Sequence, residues 1–117
     1  MAVTNVDLRS ISLPVGRVTK DIALATGAAT GEEDVTLNAA VHQLHIVIPE
    51  MPTVTAMTTL QLLDEDNNVY YTSGGLTGNK SQVLTATRYV AGVVSIHITS
   101  NEAMVVGKTF TVYLYYT

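Results

Sequence analysis

The sequence contains no cysteine and no tryptophan, and only one phenylalanine and three prolines in 117 residues. Without cysteine there is no disulfide, thiolate zinc site, iron–sulfur cluster or thiol nucleophile, so stability has to come from packing and backbone pairing. Charge is scarce too. Asp, Glu, Lys and Arg make up 14% of the chain, against about 25% in an ordinary soluble domain. The six basic residues are scattered among ten acidic ones, for a net charge of −4. Phosphate binding needs clustered Lys and Arg, so no direct nucleic-acid partner is expected. Apolar runs are far shorter than the ~20 residues of a spanning helix, and Met1–Ala2–Val3 does not open a basic-then-apolar signal. No membrane partner is expected, and the chain is read as folding in the cytoplasm where it is made.

What is present is strand-forming and apolar: 47% hydrophobic residues, with seventeen Thr and sixteen Val. Such a composition with so little charge describes a surface made to be covered. Period-2 alternation dominates, and no segment sustains a 3.6 period, so the expected fold is all-β, with helix confined to a short turn at most. Residues 1–16 read as an N-terminal arm or edge strand. In it Val6 and Leu8 share one side, Asp7, Arg9 and Ile11 the other, and Pro14–Val15–Gly16 breaks the run. Residues 17–117 read as the body. Ile22 and Leu24 mark a strand, Gly27–Asp34 a loop, Val35 and Leu37 a short strand, and Gln43–Ile48 a core strand. Pro49–Glu50–Met51–Pro52 ends that strand. Residues 58–63 and Val69–Tyr70–Tyr71 flank Asp64–Glu65–Asp66–Asn67–Asn68 as the strongest hairpin in the chain. Further strands are expected at Gln82–Val90, Val93–Thr99 and Thr109–Thr117, with a loop at Gly74–Lys80. Seven to eight short strands at regular spacing predict one antiparallel β-sandwich, immunoglobulin-like or jelly-roll-like, with an open barrel as the alternative.

No assembled chemistry is legible. Asp64, Asp66 and Asn68 begin like a calcium loop, but the sixth position is Val69 and the twelfth Gly75, where such a loop needs Gly and a bidentate Glu. The local side-chain bonding of Asp and Asn in turns accounts for the segment, with a non-standard cation site as the other reading. His42 and His45, three apart on a strand, are expected on opposite faces, so at most His45 and His97 could converge. The polar face of a sheet accounts for them without a metal. Ser73–Gly74–Gly75 lacks a nucleophile elbow, and the glycines up to Gly78 do not form a phosphate cradle ahead of Lys80. No catalytic residue, metal or cofactor is expected, and the chain is read as a non-enzyme.

On the last strand Phe110, Val112 and Leu114 alternate with Thr109, Thr111, Tyr113 and Tyr115. The first set is expected in the core. Tyr113 and Tyr115 are either interface anchors, since Tyr covers area with few rotamers to freeze, or ordinary cross-strand pairs on a solvated face. The apolar Val6, Leu8, Ile11 and Leu13 of the arm are candidate interface residues beside them.

Three stretches resemble small β-sandwich virion proteins of tailed bacteriophages. They are residues 60–76 with their acidic-Asn turn and Tyr70–Tyr71–Thr72–Ser73–Gly74 exit, residues 92–99, and the closing Lys108–Thr109–Phe110–Thr111–Val112–Tyr113–Leu114–Tyr115–Tyr116. The resemblance covers roughly the last sixty residues and transfers no catalytic or ligand residue. It implies a multi-copy structural role: a decoration or cement protein on the outside of the capsid, assembled in the host cytoplasm, with the major capsid protein and further copies of itself as partners. The alternative is a tail or baseplate accessory module that recognises a host glycan or protein through the loops at Gly27–Asp34 and Gly74–Lys80. The arm Val3–Leu13 would add as a strand to another chain's edge.

Overall fold

The computed structural model describes residues 16–77 and 81–117, and among these there is no helix. The strands are β1 (Gly16–Leu24), β2 (Thr30–Thr36), β3 (Ala39–Val47), β4 (Met57–Leu63), β5 (Val69–Thr72), β6 (Leu76–Thr77), β7 (Ser81–Val90), β8 (Val93–Ser100) and β9 (Lys108–Tyr116). They form two antiparallel sheets, one ordered β1-β9-β3-β7 and the other β2-β8-β4-β5, with β6 following β5 along the same side of β4. The sandwich is therefore as expected, and the strand order decides between its two variants. β1 pairs with β9, β2 with β8, β3 with β7 and β4 with β5. The chain is one long antiparallel ribbon whose tip is the Asp64–Asn68 turn, rolled so that β9 meets β3 and β8 meets β4. That is jelly-roll connectivity.

Alternation fills the space between the sheets. Ile22, Leu44, Ile46, Phe110, Val112 and Leu114 from the first sheet meet Leu60, Leu62, Val94, Ile96 and Ile98 from the second, all fully buried. At ~25 cal/mol per Å² of apolar surface removed from water, this layer supplies most of the stability of a chain without disulfides. Strict alternation would put Val41 and Leu44, three apart, on opposite faces, yet both are buried. The register shifts between Val41 and Gln43 against both neighbours: β3 carries one extra residue relative to β9, and β7 carries one extra relative to β3. His42 lies at this bulge, and its Nε2 is 2.7 Å from the Thr117 hydroxyl.

Three expectations are corrected. The expected loop Gly27–Asp34 is a loop only up to residue 29, because β2 begins at Thr30 and carries Glu32, Glu33 and Asp34 in register with His97, Ile96 and Ser95 of β8. Polar edge strands bury little of their own, and it is the ladder to β8 that makes β2 a strand. Within the expected loop Gly74–Lys80, Leu76 and Thr77 pair with Thr58 and Met57 as β6. Gly16, read as part of the break ending the arm, is the first residue of β1 and pairs with Tyr116. The rest of the arm, with Val6, Leu8, Ile11 and Leu13, lies outside the described residues, as does Lys80.

Between β5 and β6 the outer neighbour of β4 is interrupted at Ser73–Gly75, and Ser73 repairs the gap. Its N–H donates to the Leu60 carbonyl at 2.9 Å, and its buried hydroxyl accepts the Leu60 N–H at 2.9 Å while donating to the Gly74 carbonyl at 2.8 Å.

Candidate docking surface

The outward face of the first sheet is built from the alternate residues of its four strands. On β9 the core takes Phe110, Val112 and Leu114, so Tyr113 and Tyr115 face out as expected, each half-buried by its neighbours. Register sets Tyr113 between Thr19 of β1 and His45 of β3, and Tyr115 between Arg17 and Gln43. The His45 ring lies against Tyr113 at 5.4 Å between centroids, tilted by 38°. The Arg17 guanidinium sits over the Tyr113 ring, 5.2 Å from its centroid. Tyr113 is thus held in a cross-strand stack, while Tyr115 has only Arg17 and Gln43 opposite it. The Nε2 of His45 is buried within this stack and has no hydrogen-bond partner among the described residues.

Across β9, β3 and β7 this face carries Thr, Tyr, Gln, His, Val, Ser and Ala and no Asp, Glu, Lys or Arg. Its charges are confined to β1, where Arg17 stacks on Tyr113 and Asp21 accepts a 2.9 Å hydrogen bond from Thr111. Val83 is 57% and Tyr89 79% exposed on β7 at its margin.

The outward face of the second sheet is polar and differs in kind. His97 Nε2 lies 3.0 Å from Ser95 Oγ and 3.3 Å from Glu32 Oε2, and the Ser95 hydroxyl donates to the same Glu32 oxygen at 3.2 Å. The residue types are those of a hydrolytic triad, but the geometry is not. A relay needs the carboxylate on the ring nitrogen opposite the one that faces the serine, whereas here both meet Nε2. The expected loop over Gly27–Asp34 hid Glu32, which only the pairing of β2 with β8 brings to His97. His45 and His97 lie on the outward faces of different sheets and do not converge, and no group of three metal-ligating side chains occurs among the described residues.

In the ribbon-tip turn the Asp64 carboxylate is engaged by its own loop. Oδ1 accepts the Asp66 and Asn68 N–H groups at 2.8 Å each, and Oδ2 accepts the Asn68 side-chain amide at 3.0 Å. The Asn68 side chain first, then the two backbone donors, hold the Asp64 carboxyl below its ordinary value despite some desolvation. Asn67 takes the left-handed conformation, φ 65°, that Asn tolerates. The turn reading accounts for every one of these contacts.

At the end of the sandwich away from this turn, Glu50, Met51, Pro52, Met104, Val105, Val106 and Lys108 line an open groove of about 300 Å³. Val54 (93% exposed) and Val105 (73%) stand on the loops that form this end. Gly27 donates to the Met104 carbonyl at 2.7 Å and Met104 to the Ala28 carbonyl at 2.9 Å, tying the β1–β2 and β8–β9 loops together.

No protein family matches the sequence, and no curated protein does. Among solved structures, the crystal structure of the Yersinia pseudotuberculosis-derived mitogen is similar to 87% of this chain, over 86% of its own, at 15% identity and a TM-score of 0.44.

Proposed function

We propose that this domain is a non-enzymatic structural protein of a bacteriophage particle, docking on the outside of the capsid in many copies and bridging neighbouring subunits. The observation that supports this reading is the outward face of the first sheet, where three adjacent strands expose Thr, Tyr and Val and no formal charge. Docking such a face strips water from few ions, so apolar burial is not offset by ion desolvation. Tyr115, half-buried between Arg17 and Gln43, is the anchor in this reading. Residues 3–13 would contribute as a strand added to a neighbouring chain.

The test is binding of the purified protein to intact, DNA-filled capsids. Tyr115→Ala is expected to leave the melting temperature of the free domain nearly unchanged and to weaken attachment by about 1–2 kcal/mol. Deletion of residues 1–13 should weaken attachment with the domain still folded. Parent-like binding by Tyr115→Ala would remove tyrosine from the interface. A second reading, a tail or baseplate module that holds a host protein, is favoured by the exposed valines around the groove at the loop end. Capture of a host-surface protein without capsid affinity, lost on Val105→Asp, would select it.

A further inference from the structure

A sheet edge presents unpaired N–H and C=O groups that invite another strand, and proteins guard their edges with charge, shortness or interruption. Among the described residues, three of the four edges of this sandwich are guarded. β2 exposes Glu32, Glu33 and Asp34, β1 carries Arg17, Lys20 and Asp21, and the β5/β6 edge consists of four and two residues separated by the break at Ser73–Gly75. The fourth edge is β7, ten residues long, with no proline, glycine or acidic side chain. Its one charged residue, Arg88, is bent across to the second sheet, donating to the Tyr70 carbonyl at 2.7 Å and lying 5.5 Å from the Tyr71 ring centroid. Residues 81–87 are left as an uncharged stretch rich in strand-forming side chains, joined in its sheet, among the described residues, to β3 alone.

We propose that this edge of β7 pairs antiparallel with β7 of a second copy of the chain, joining two four-stranded sheets into one of eight strands. The proposal stands apart from the capsid reading and does not depend on it. Two-fold pairing sets each edge against itself. At β2 it would bring acid to acid, but over 81–87 it brings Val, Thr, Leu, Ala, Ser and Gln against the same set with no like charges opposed. A foreign strand would need a charge pattern or a pocket to be selected by, and this stretch offers neither, whereas self-pairing requires none. Because antiparallel pairing of identical strands puts the two-fold axis perpendicular to the sheet, both uncharged outward faces come to lie on the same side. The dimer would present twice the docking area, and the second attachment would become intramolecular.

Sedimentation of the full chain over a concentration series tests the idea, with the expected mass rising to twice 12.5 kDa. Thr85 is exposed on the outward face, in the middle of the stretch, and the two copies of it lie within two positions of each other across the axis. T85K and T85E alone should each raise the dimer dissociation constant at least tenfold, with circular dichroism and melting of the monomer unchanged. An equimolar mixture of the two should restore dimers, since opposite charges then meet across the axis. T19K, on the opposite edge strand, should dimerise like the parent. A chain monomeric at every concentration, a dimer indifferent to T85K, or weakened variants that fail to complement each other would overturn the proposal.

Discussion

Replacing Thr58 by valine should make this protein more stable. Thr58 is the second residue of β4, points into the core and is fully buried. Its methyl is well placed there, but its hydroxyl has no hydrogen-bond partner among the described residues. Across the ladder stand Ser100 and Leu76. The Ser100 hydroxyl is already committed, donating to the Glu102 carbonyl at 2.7 Å and accepting the Glu102 N–H at 3.1 Å. A buried polar group left unpaired costs about 1–3 kcal/mol. Valine has the same branched shape, the same restriction at χ1 and an equal fit to a strand. Thr58→Val should therefore raise the unfolding free energy by about 1–2 kcal/mol and the melting temperature by roughly 4 °C per kcal/mol. Thr58→Ser keeps the orphan hydroxyl and loses a methyl, and should lower stability by about 1 kcal/mol. Chemical denaturation of the three proteins, with equal slopes, would read the order Val above Thr above Ser. A valine variant less stable than the parent would mean that the hydroxyl is satisfied, and the argument would fail.

Ser73→Ala should cost about 1–3 kcal/mol by denaturant titration, because it orphans the Leu60 N–H at the break between β5 and β6; an unchanged midpoint would show that water replaces the hydroxyl. Leu114→Ala removes a fully buried side chain from the centre of the first sheet and should cost about 2–5 kcal/mol through lost burial and a residual cavity. The Asp64 carboxyl, held below its ordinary 3.8 in the folded turn, should contribute stability that is fully present above that value and lost as pH falls through its lower folded value. Carbonyl NMR titration should find its midpoint below the ordinary 3.8, and Asp64→Ala should remove this part of the acid dependence.

Where burial follows a strict period, the sequence was legible. The strands expected at Gln82–Val90, Val93–Thr99 and Thr109–Thr117 fall within a residue of β7, β8 and β9. The acidic-Asn hairpin sits between β4 and β5 because its turn chemistry is local. Of β2 only the end at Val35 was legible; Thr30–Asp34 escaped because they bury almost nothing of their own, and the partnership with β8, some sixty residues on, makes them a strand. The bulge at His42 was hidden for a related reason: two neighbouring strands impose it, and the residues of β3 give no sign. The faces of Tyr113 and Tyr115 followed from alternation alone. The company they keep, Arg17 and His45 from flanking strands, followed only from knowing which strands are neighbours, and the same ignorance concealed Glu32 beside His97.

The rolled ribbon also dictates an order of events. Only the β4–β5 hairpin closes over a few residues. Pairing of β3 with β7, of β2 with β8 and of β1 with β9 each spans a longer loop, reaching the 100-residue separation between Gly16 and Tyr116. Closure entropy grows with each span, so the ribbon should zip outward from its tip, slowly, as non-local β topologies do. A nascent chain emerging from the ribosome would hold β1 and β3 in waiting, each apolar on one side, until β9 arrives to lie between them. Until then the emerging chain can close the tip of the ribbon, where Asp64 gathers its hydrogen bonds, but not its flanks.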